Sequence, residues 1–270
     1  MAPRRIFALL LATAAGTAAI VAAQHTFRQN RWAQYEHEMQ DPIDDPPDAW
    51  EQTEFAFARL RFRSPRDGYF RRFARWGTDS NKSERLFMKA IRRLTRVHTR
   101  SVEEIVDIDS DEVFNWPFLY AVGVGDWVFS DSQAARLRQY FERGGFLMVD
   151  DFHNEREWAT FMAGIHKIFP DREAVEIPDD HPIFGVGYDT RRPFHIPGYQ
   201  ITYGQEWERG GIGGHYRAIM DDHGKVQVAI CFNMDLGDAW EWADAPEYPE
   251  KYAGLAFRLG VNYVLYTMTH

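Results

Sequence analysis

The sequence predicts an α/β fold: a mostly parallel sheet flanked by helices on both faces, with short extra strands in the C-terminal third. Three observations carry this. FLMV (146–149) is too short and too evenly apolar to have a wet face, which marks a strand buried on both sides. Such runs alternate with amphipathic helical stretches in the order strand, helix, strand, helix, strand. Right-handed crossovers then leave few topologies.

The elements follow in order. FAFARLRF (55–62) alternates apolar and polar residues and reads as the first strand. After a loop with Pro65, Gly68 and Gly77, residues 81–97 read as a helix. Asn81 and Glu84 have capping-box spacing, and Leu86, Phe87, Ala90, Ile91 and Leu94 share one face. Strands are expected near 104–108 and at FLYAVGV (118–124), the latter ending at Gly125-Asp126-Trp127. Ser130 and Gln133 cap a helix that carries Leu137, Tyr140 and Phe141 and stops at Gly144-Gly145. Beyond FLMV, Asn154 and Glu157 form another capping box; Trp158, Phe161, Met162, Ile165 and Phe169 are its helix's stripe, and Pro170 ends it. AVEI (174–177) is a fifth strand, and GYQITY (198–203), HYRAIM (215–220) and VQVAICF (226–232) are short later ones. A helix from Glu250 to about Tyr266 closes one domain spanning 54–270.

The first 25 residues, MAPRRIFALLLATAAGTAAIVAAQH, place Arg4 and Arg5 before an apolar run from Ile6 to Ala23. This predicts a secretory signal peptide cut after Ala23, or an uncleaved anchor attaching residues 6–23 to a membrane. Either way the bulk is expected outside the cytoplasm, periplasmic or extracellular. Cleavage takes the 31 basic residues to 29 against 40 acidic ones, a net charge of −11, which repels phosphate backbones and argues against nucleic-acid binding. The single cysteine, Cys231, excludes an internal disulfide, so stability rests on the core. Hydrophobic residues at 45% and aromatics at 15% supply that core.

Charge is unevenly spread. From Glu36 to Glu54 there are eight acids and no Lys or Arg, beside Pro42, Pro46 and Pro47, and no apolar period: residues 24–53 read as an acidic, extended tether. Residues 59–100 hold fourteen Lys/Arg and three Asp/Glu. Pairing with the chain's own acids explains that excess more simply than an anionic partner does.

Three clusters carry candidate chemistry. The first is Asp126 with Trp127, and Asp150, Asp151 and His153, at the ends of two strands whose tips converge on one crevice in a parallel sheet. Asp and His there can ligate a divalent cation or work as a general base and its orienting partner. Capping of helix N–H groups and turn formation account for the same residues. The second cluster, IPDDHPIF (177–184), offers His181, though a turn explains it more simply. The third, CFNMDLGDAWEWAD (231–244), places Asn233, Asp235, Asp238, Glu241 and Asp244 among Trp240 and Trp242. It lacks the Asp-x-Asp-x-Asp-Gly start of an EF-hand loop, and a solvated acidic loop is its plain alternative.

RGGFLMVDDFHNEREW, FPDREAVEIPDDHPIF, NMDLGDAWEWAD and RLGVNYVLYTMTH resemble an uncharacterised bacterial family, domain of unknown function 4159, from about Phe55 to His270. The resemblance implies a glutamine-amidotransferase-like (flavodoxin-like) fold but no activity. It also implies an exclusion. Amidotransferases carry a nucleophilic Cys at the turn after the strand matching FLMV; here that turn is Asp150-Asp151-Phe152-His153, and Cys231 falls inside an apolar strand, as a core residue does.

Two functions of different class follow. The first is a non-catalytic binding or assembly module that takes a small molecule, glycan or peptide in an amidotransferase-like cleft, with Trp127, Trp240 and Trp242 as stacking surfaces and no required cofactor. The alternative is a metal-assisted hydrolase acting on a cell-envelope carbohydrate or ester, with Asp151, His153 and Asp235 as the candidate ligands of a divalent cation.

Overall fold

A computed structural model of the chain describes residues 31–65, 67, 72–191 and 195–270. The expected signal or anchor (1–23), and the start of the expected tether, lie outside the described residues. Among the described residues no helix is long and apolar enough to cross a membrane.

Among the described residues seven strands form one sheet: β1 (Ala58–Arg61), β2 (Glu104–Asp107), β3 (Phe118–Val122), β4 (Phe146–Phe152), β5 (Val175–Glu176), β6 (His215–Met220) and β7 (Val226–Phe232). Their order is β2-β1-β3-β4-β7-β6-β5. The pairings from β2 through to β7 are parallel, whereas β6 runs antiparallel to both β7 and β5. The helices are α1 (Lys82–Leu94), α2 (Asp131–Glu142), α3 (Asn154–Ile168), α4 (Leu236–Glu241) and α5 (Glu250–Thr269). The chain is an α/β protein with a mostly parallel sheet.

Strand side chains alternate between two apolar clusters, as a period of two requires. Leu119, Ala121, Leu147 and Val149 join Leu137 and Phe141 of α2 and Phe161 and Ile165 of α3. Phe118, Tyr120, Phe146 and Met148 join Phe87 and Ile91 of α1, Trp240 of α4 and Leu259 and Tyr263 of α5. Gly260 lets α5 cross this second cluster: a Cβ there would stand 2.5 Å from the Phe87 ring and 2.9 Å from Trp240.

Four local expectations change. AVEI contributes only the two exposed residues of β5, at the sheet's edge against β6 and not beside β4. GYQITY is a 3-10 turn (Tyr199–Tyr203) bounded by Gly198 and Gly204, and the Tyr199 N–H goes to the Asp238 carboxylate, not to a ladder. Asn81 does not cap α1; it accepts from Ile43 N and donates to Glu103 Oε1, while Glu84 pairs with Arg59. In both cases a tertiary partner outbids the local one. At α3, Asn154 Oδ1 accepts from the Glu157 N–H, but the Glu157 carboxylate returns to His153 N, one residue earlier than the expected box. The Ser130–Gln133 capping box is formed as expected.

The acidic stretch expected as a tether is laid against the domain from Arg31 onward, with Met39 and Ala49 buried. Glu38 meets Arg61 at 2.7 Å, Asp45 meets Arg85 at 2.7 Å, and Asp48 and Glu51 meet Arg92 at 3.4 and 3.5 Å. For these arginines, pairing within the chain is the reason for the basic excess in 59–100.

Arg59 ties this arrangement to the crevice described below. Fully buried, it pairs with Glu84 of α1 and donates from Nη1 to the carbonyls of Trp76 and Thr78, both at 2.8 Å. It thereby holds the turn that carries Arg75 and Asp79. Replacing Arg59 by Met strands the Glu84 carboxylate in the core, and should lower stability by about 3–5 kcal/mol in urea titration. Arg59→Met with Glu84→Met should recover part of that loss.

Candidate functional site

The corner at 150–153 is built by one extra residue in β4. Val149 pairs with Ile230 and Phe152 with Phe232, so three steps along β4 span two along β7. Such a bulge re-aims side chains. Phe152 consequently joins the same cluster as Leu147 and Val149, Asp150 faces the Tyr120 side, and Asp151 stands at the crest with φ +50°. The strand thus runs through both aspartates and does not stop before them.

Asp150 Oδ2 accepts from the N–H groups of Leu236 (2.7 Å) and Gly237 (2.8 Å), which docks the start of α4 onto the end of β4. The 231–244 loop is therefore beside the 150–153 corner, as neighbouring parallel strands require. Gly237 is needed there: a Cβ would stand 2.5 Å from Asp79 Oδ2 and 2.8 Å from the Tyr120 hydroxyl. Asp235 Oδ1 caps α4 by accepting from Asp238 N at 2.7 Å. Asn233 joins the crevice to the loop before β6, accepting from Asn154 N and donating to the carbonyls of Ile212 and Gly213. That loop supplies Glu208 and Arg209.

Asp79, Asp151, Asn154, Arg209 and Asn233 are the positive-φ non-glycine residues among those described. All five border this crevice. Backbone strain of this kind concentrates where a site is over-determined by its surroundings.

The crevice has two electrostatic halves. In the first, Asp151 Oδ1 accepts from Arg209 Nη2 at 2.6 Å, and Arg75 Nη1 lies 3.8 Å from Asp151 Oδ2. Glu157 stands 3.5 Å from Arg209 and 3.7 Å from Arg75. Burial pushes the Asp151 carboxyl up, but the Arg209 and Arg75 charges outweigh it and hold Asp151 below the usual carboxylate range. His153 Nε2 lies 3.3 Å from Asp151 Oδ1 and 3.1 Å from Glu208 Oε2, off the axis that a hydrogen bond to either would need. Burial lowers the His153 pKa, but Asp151 and Glu208 raise it by more.

The second half is short of positive charge. Burial, reinforced by neighbouring carboxylates, pushes Asp238 and Glu241 up to about 7 and Asp79 and Asp235 well above their ordinary values. Asp150 also rises to about 7, from burial and the Asp151 charge. Three groups converge closely enough to grip one ion each, their ligand atoms within 4.8 Å of one another: Asp151, His153 and Glu208; Glu208, Asp235 and Asp238; and Asp79, Asp238 and Glu241. They form a chain, linked through Glu208 and Asp238.

Of the residues singled out by sequence, Asp150, Asp151, His153, Asn233, Asp235, Asp238 and Glu241 come together. Four do not. Trp127 is core, donating to Phe161 O and stacked on that ring. Trp240 is core, stacked on Phe87 at 4.5 Å. Asp126 pairs with Arg156 on the first turn of α3. His181 caps a turn by accepting from Ile183 N, and its ring stands 5.9 Å from Tyr266, whose hydroxyl accepts from Val226 N at the opposite end of β7. Cys231 is buried in β7, its thiol pushed up by burial, as a core residue's would be. The sequence reading missed Glu208, Asp79, Arg75, Arg209 and Glu157. Four of these lie on long connections whose course no periodicity reveals, and Glu157 read only as half of a cap.

These features define an α/β domain with a buried carboxylate–histidine crevice at the carboxyl ends of its parallel strands. The model of one family, Domain of unknown function (DUF4159), matches residues 56–268, and the chain belongs to that family. Comparison with curated proteins gives no match.

The raised carboxyls set a pH dependence. Asp150, Asp238 and Glu241 release protons near 7 when folded but at about 4 when unfolded, so the folded chain holds the extra protons between those values. Their contribution to stability is full below about pH 4 and is lost as pH rises through about 7. Asp151 works the other way, losing its contribution only as pH falls below the ordinary carboxylate range. In chelator, the urea midpoint should be higher at about pH 5 than at about pH 8, and Asp238→Asn with Glu241→Gln should flatten the difference.

Proposed function

We propose that this domain holds a divalent cation between Asp151, His153 and Glu208 and is a metal-assisted hydrolase. The carrying observation is the spacing around His153 Nε2. Bonds of about 2.1 Å put neighbouring ligand atoms about 3.0 Å apart in an octahedral site and about 3.4 Å apart in a tetrahedral one. The separations of 3.1 and 3.3 Å fall between those values, on a buried nitrogen that makes no hydrogen bond among the described residues. One imidazole with two carboxylates suits Zn²⁺, Mn²⁺ or Fe²⁺. Asp151 and Glu208 raise the His153 pKa, so a cation held by these groups would compete with a proton on the imidazole.

A bound cation supplies Lewis acidity toward a water or a substrate oxygen. Asp235 converges with Glu208 and Asp238, and its carboxylate, once ionised, is placed to accept a proton from an attacking water. Arg75, buried with Nε and Nη2 lacking hydrogen-bond partners among the described residues, offers donors to a developing oxyanion. The substrate class we propose is an ester or carbohydrate of the cell envelope, which rests on the export signal read in residues 1–23.

The binding or assembly reading keeps one observation in its favour. Trp242, only partly buried, packs against Tyr199 with ring centroids 4.2 Å apart and planes tilted by 36°, beside Asp238, a surface on which a sugar or peptide ring can rest. One set of measurements separates the two. The purified full chain should carry stoichiometric transition metal, and His153→Ala and Glu208→Gln should each weaken its retention by about tenfold or more. Hydrolysis across a panel of model esters and glycosides should require the cation and vanish in His153→Ala. Absence of stoichiometric metal together with an unchanged melting temperature on chelation overturns the proposal. Metal without hydrolysis returns the domain to the binding class.

A further inference from the structure

We infer that the crevice has a second, chemically distinct cation site, formed by Asp79, Asp238 and Glu241 and selective for a hard cation such as Ca²⁺ or Mg²⁺. The three carboxylates come from two distant parts of the chain: Asp79 from the turn before α1, and Asp238 and Glu241 from α4. Their oxygen atoms converge within 4.8 Å of one another.

Convergence of acids alone does not make a site; the second observation is what they lack. Asp79 Oδ2 and Glu241 Oε2 are buried without a hydrogen-bond partner among the described residues, in side chains 2% and 3% exposed. Leaving a buried carboxylate oxygen unsatisfied is costly, so native structures rarely do so without a ligand to meet it. The nearby cations are committed elsewhere. Arg59 pairs with Glu84 and two carbonyls, while Lys82 meets Asp244 at 2.9 Å and lies over the Trp242 ring at 5.0 Å. Neither makes an ion pair with Asp79, Asp238 or Glu241 among the described contacts.

The backbone is also shaped to bring these oxygens together. Asp79 sits at φ +60°, its N–H held by Gln40 Oε1 at 3.1 Å, and its carboxylate reaches over Gly237, where a side chain would block it. Asp238 Oδ2 accepts from Tyr199 N at 2.6 Å, so the carboxylate is oriented before any ion arrives. All donors are oxygen, with no imidazole or thiolate, and such sets favour Ca²⁺, Mg²⁺ or Mn²⁺ over Zn²⁺. The His153 group has the opposite preference. Glu208, Asp235 and Asp238 converge between the two, so the sites share a carboxylate bridge.

The inference deepens the cation-dependent reading without needing turnover, and its failure can be told apart from the failure of that reading. The experiment is calorimetric titration of the chelator-treated full chain with Ca²⁺ and, separately, with Mn²⁺, on wild type, Asp79→Asn, Glu241→Gln and His153→Ala. Wild type should take one equivalent of Ca²⁺ and two of Mn²⁺. Asp79→Asn and Glu241→Gln should each weaken Ca²⁺ binding by about tenfold or more, one decade in Kd, and leave one Mn²⁺ equivalent. His153→Ala should leave Ca²⁺ binding intact and remove the other Mn²⁺ equivalent. Both neutralising variants remove buried like-charge repulsion, so they should fold, with melting temperatures in chelator at or above wild type. No Ca²⁺ binding in wild type, or Ca²⁺ binding unchanged in both variants, overturns the second site even if the His153-dependent Mn²⁺ equivalent persists. Loss of only that equivalent's dependence on His153 would instead overturn the first site and leave this one standing.

Discussion

The crevice depends on one inserted residue in the ladder between β4 and β7. Without the bulge at Asp150–Asp151, strict alternation would send Phe152 to the other face of the sheet and out of its cluster with Phe161 and Phe232. With it, two adjacent aspartates are directed apart. Asp150 turns inward to hold the start of α4 by two N–H bonds, and Asp151 turns toward Arg209, Arg75 and His153. A single departure from regular pairing thus fixes the α4 loop and presents a carboxylate at the crest.

Charge divides what the bulge brings together. Around Asp151 and Glu157, two guanidinium groups offset the buried negative charge. Around Asp79, Asp235, Asp238 and Glu241 nothing comparable is present among the described contacts, and burial raises the pKa of each carboxyl, which favours its protonated form. Protons and divalent cations are alternative solutions to the same electrostatic problem. Arg59 belongs to this economy although it touches neither half directly: its bonds to the Trp76 and Thr78 carbonyls set the turn from which both Arg75 and Asp79 project.

Much of the framework was legible because periodicity reports burial. The apolar runs at 118–124, 146–149 and 226–232 hold β3, most of β4 and β7, and the stripes of α2 and α3 are buried as expected, whereas of the α1 stripe Phe87 and Ile91 join the core and Leu94 is exposed. Legibility failed where polar atoms found partners far along the chain. Asn81 and Glu84 had the spacing of a cap but serve Glu103 and Arg59, and the alternating GYQITY lost its ladder when Asp238 took the Tyr199 N–H. Tryptophans interleaved with acids looked like a binding surface in a linear reading. In the folded chain Trp127 and Trp240 are among the largest fully buried side chains, because a ring's face finds more contact in the core than beside a solvated carboxylate.

By itself the sequence determined the α/β class, the family, the place of Cys231 in the core and the presence of Asp and His at the ends of β4 and β7. These follow from local composition, period and motif, which need no knowledge of distant neighbours. Only the tertiary structure decided which of those groups meet. It removed Trp127, Trp240, Asp126 and His181 and brought in Glu208, Asp79, Arg75 and Arg209 from separate connections. It also set which carboxylates keep their charge. The physical reason is that convergence and desolvation are properties of chain crossings, and a crossing leaves no mark on either segment alone.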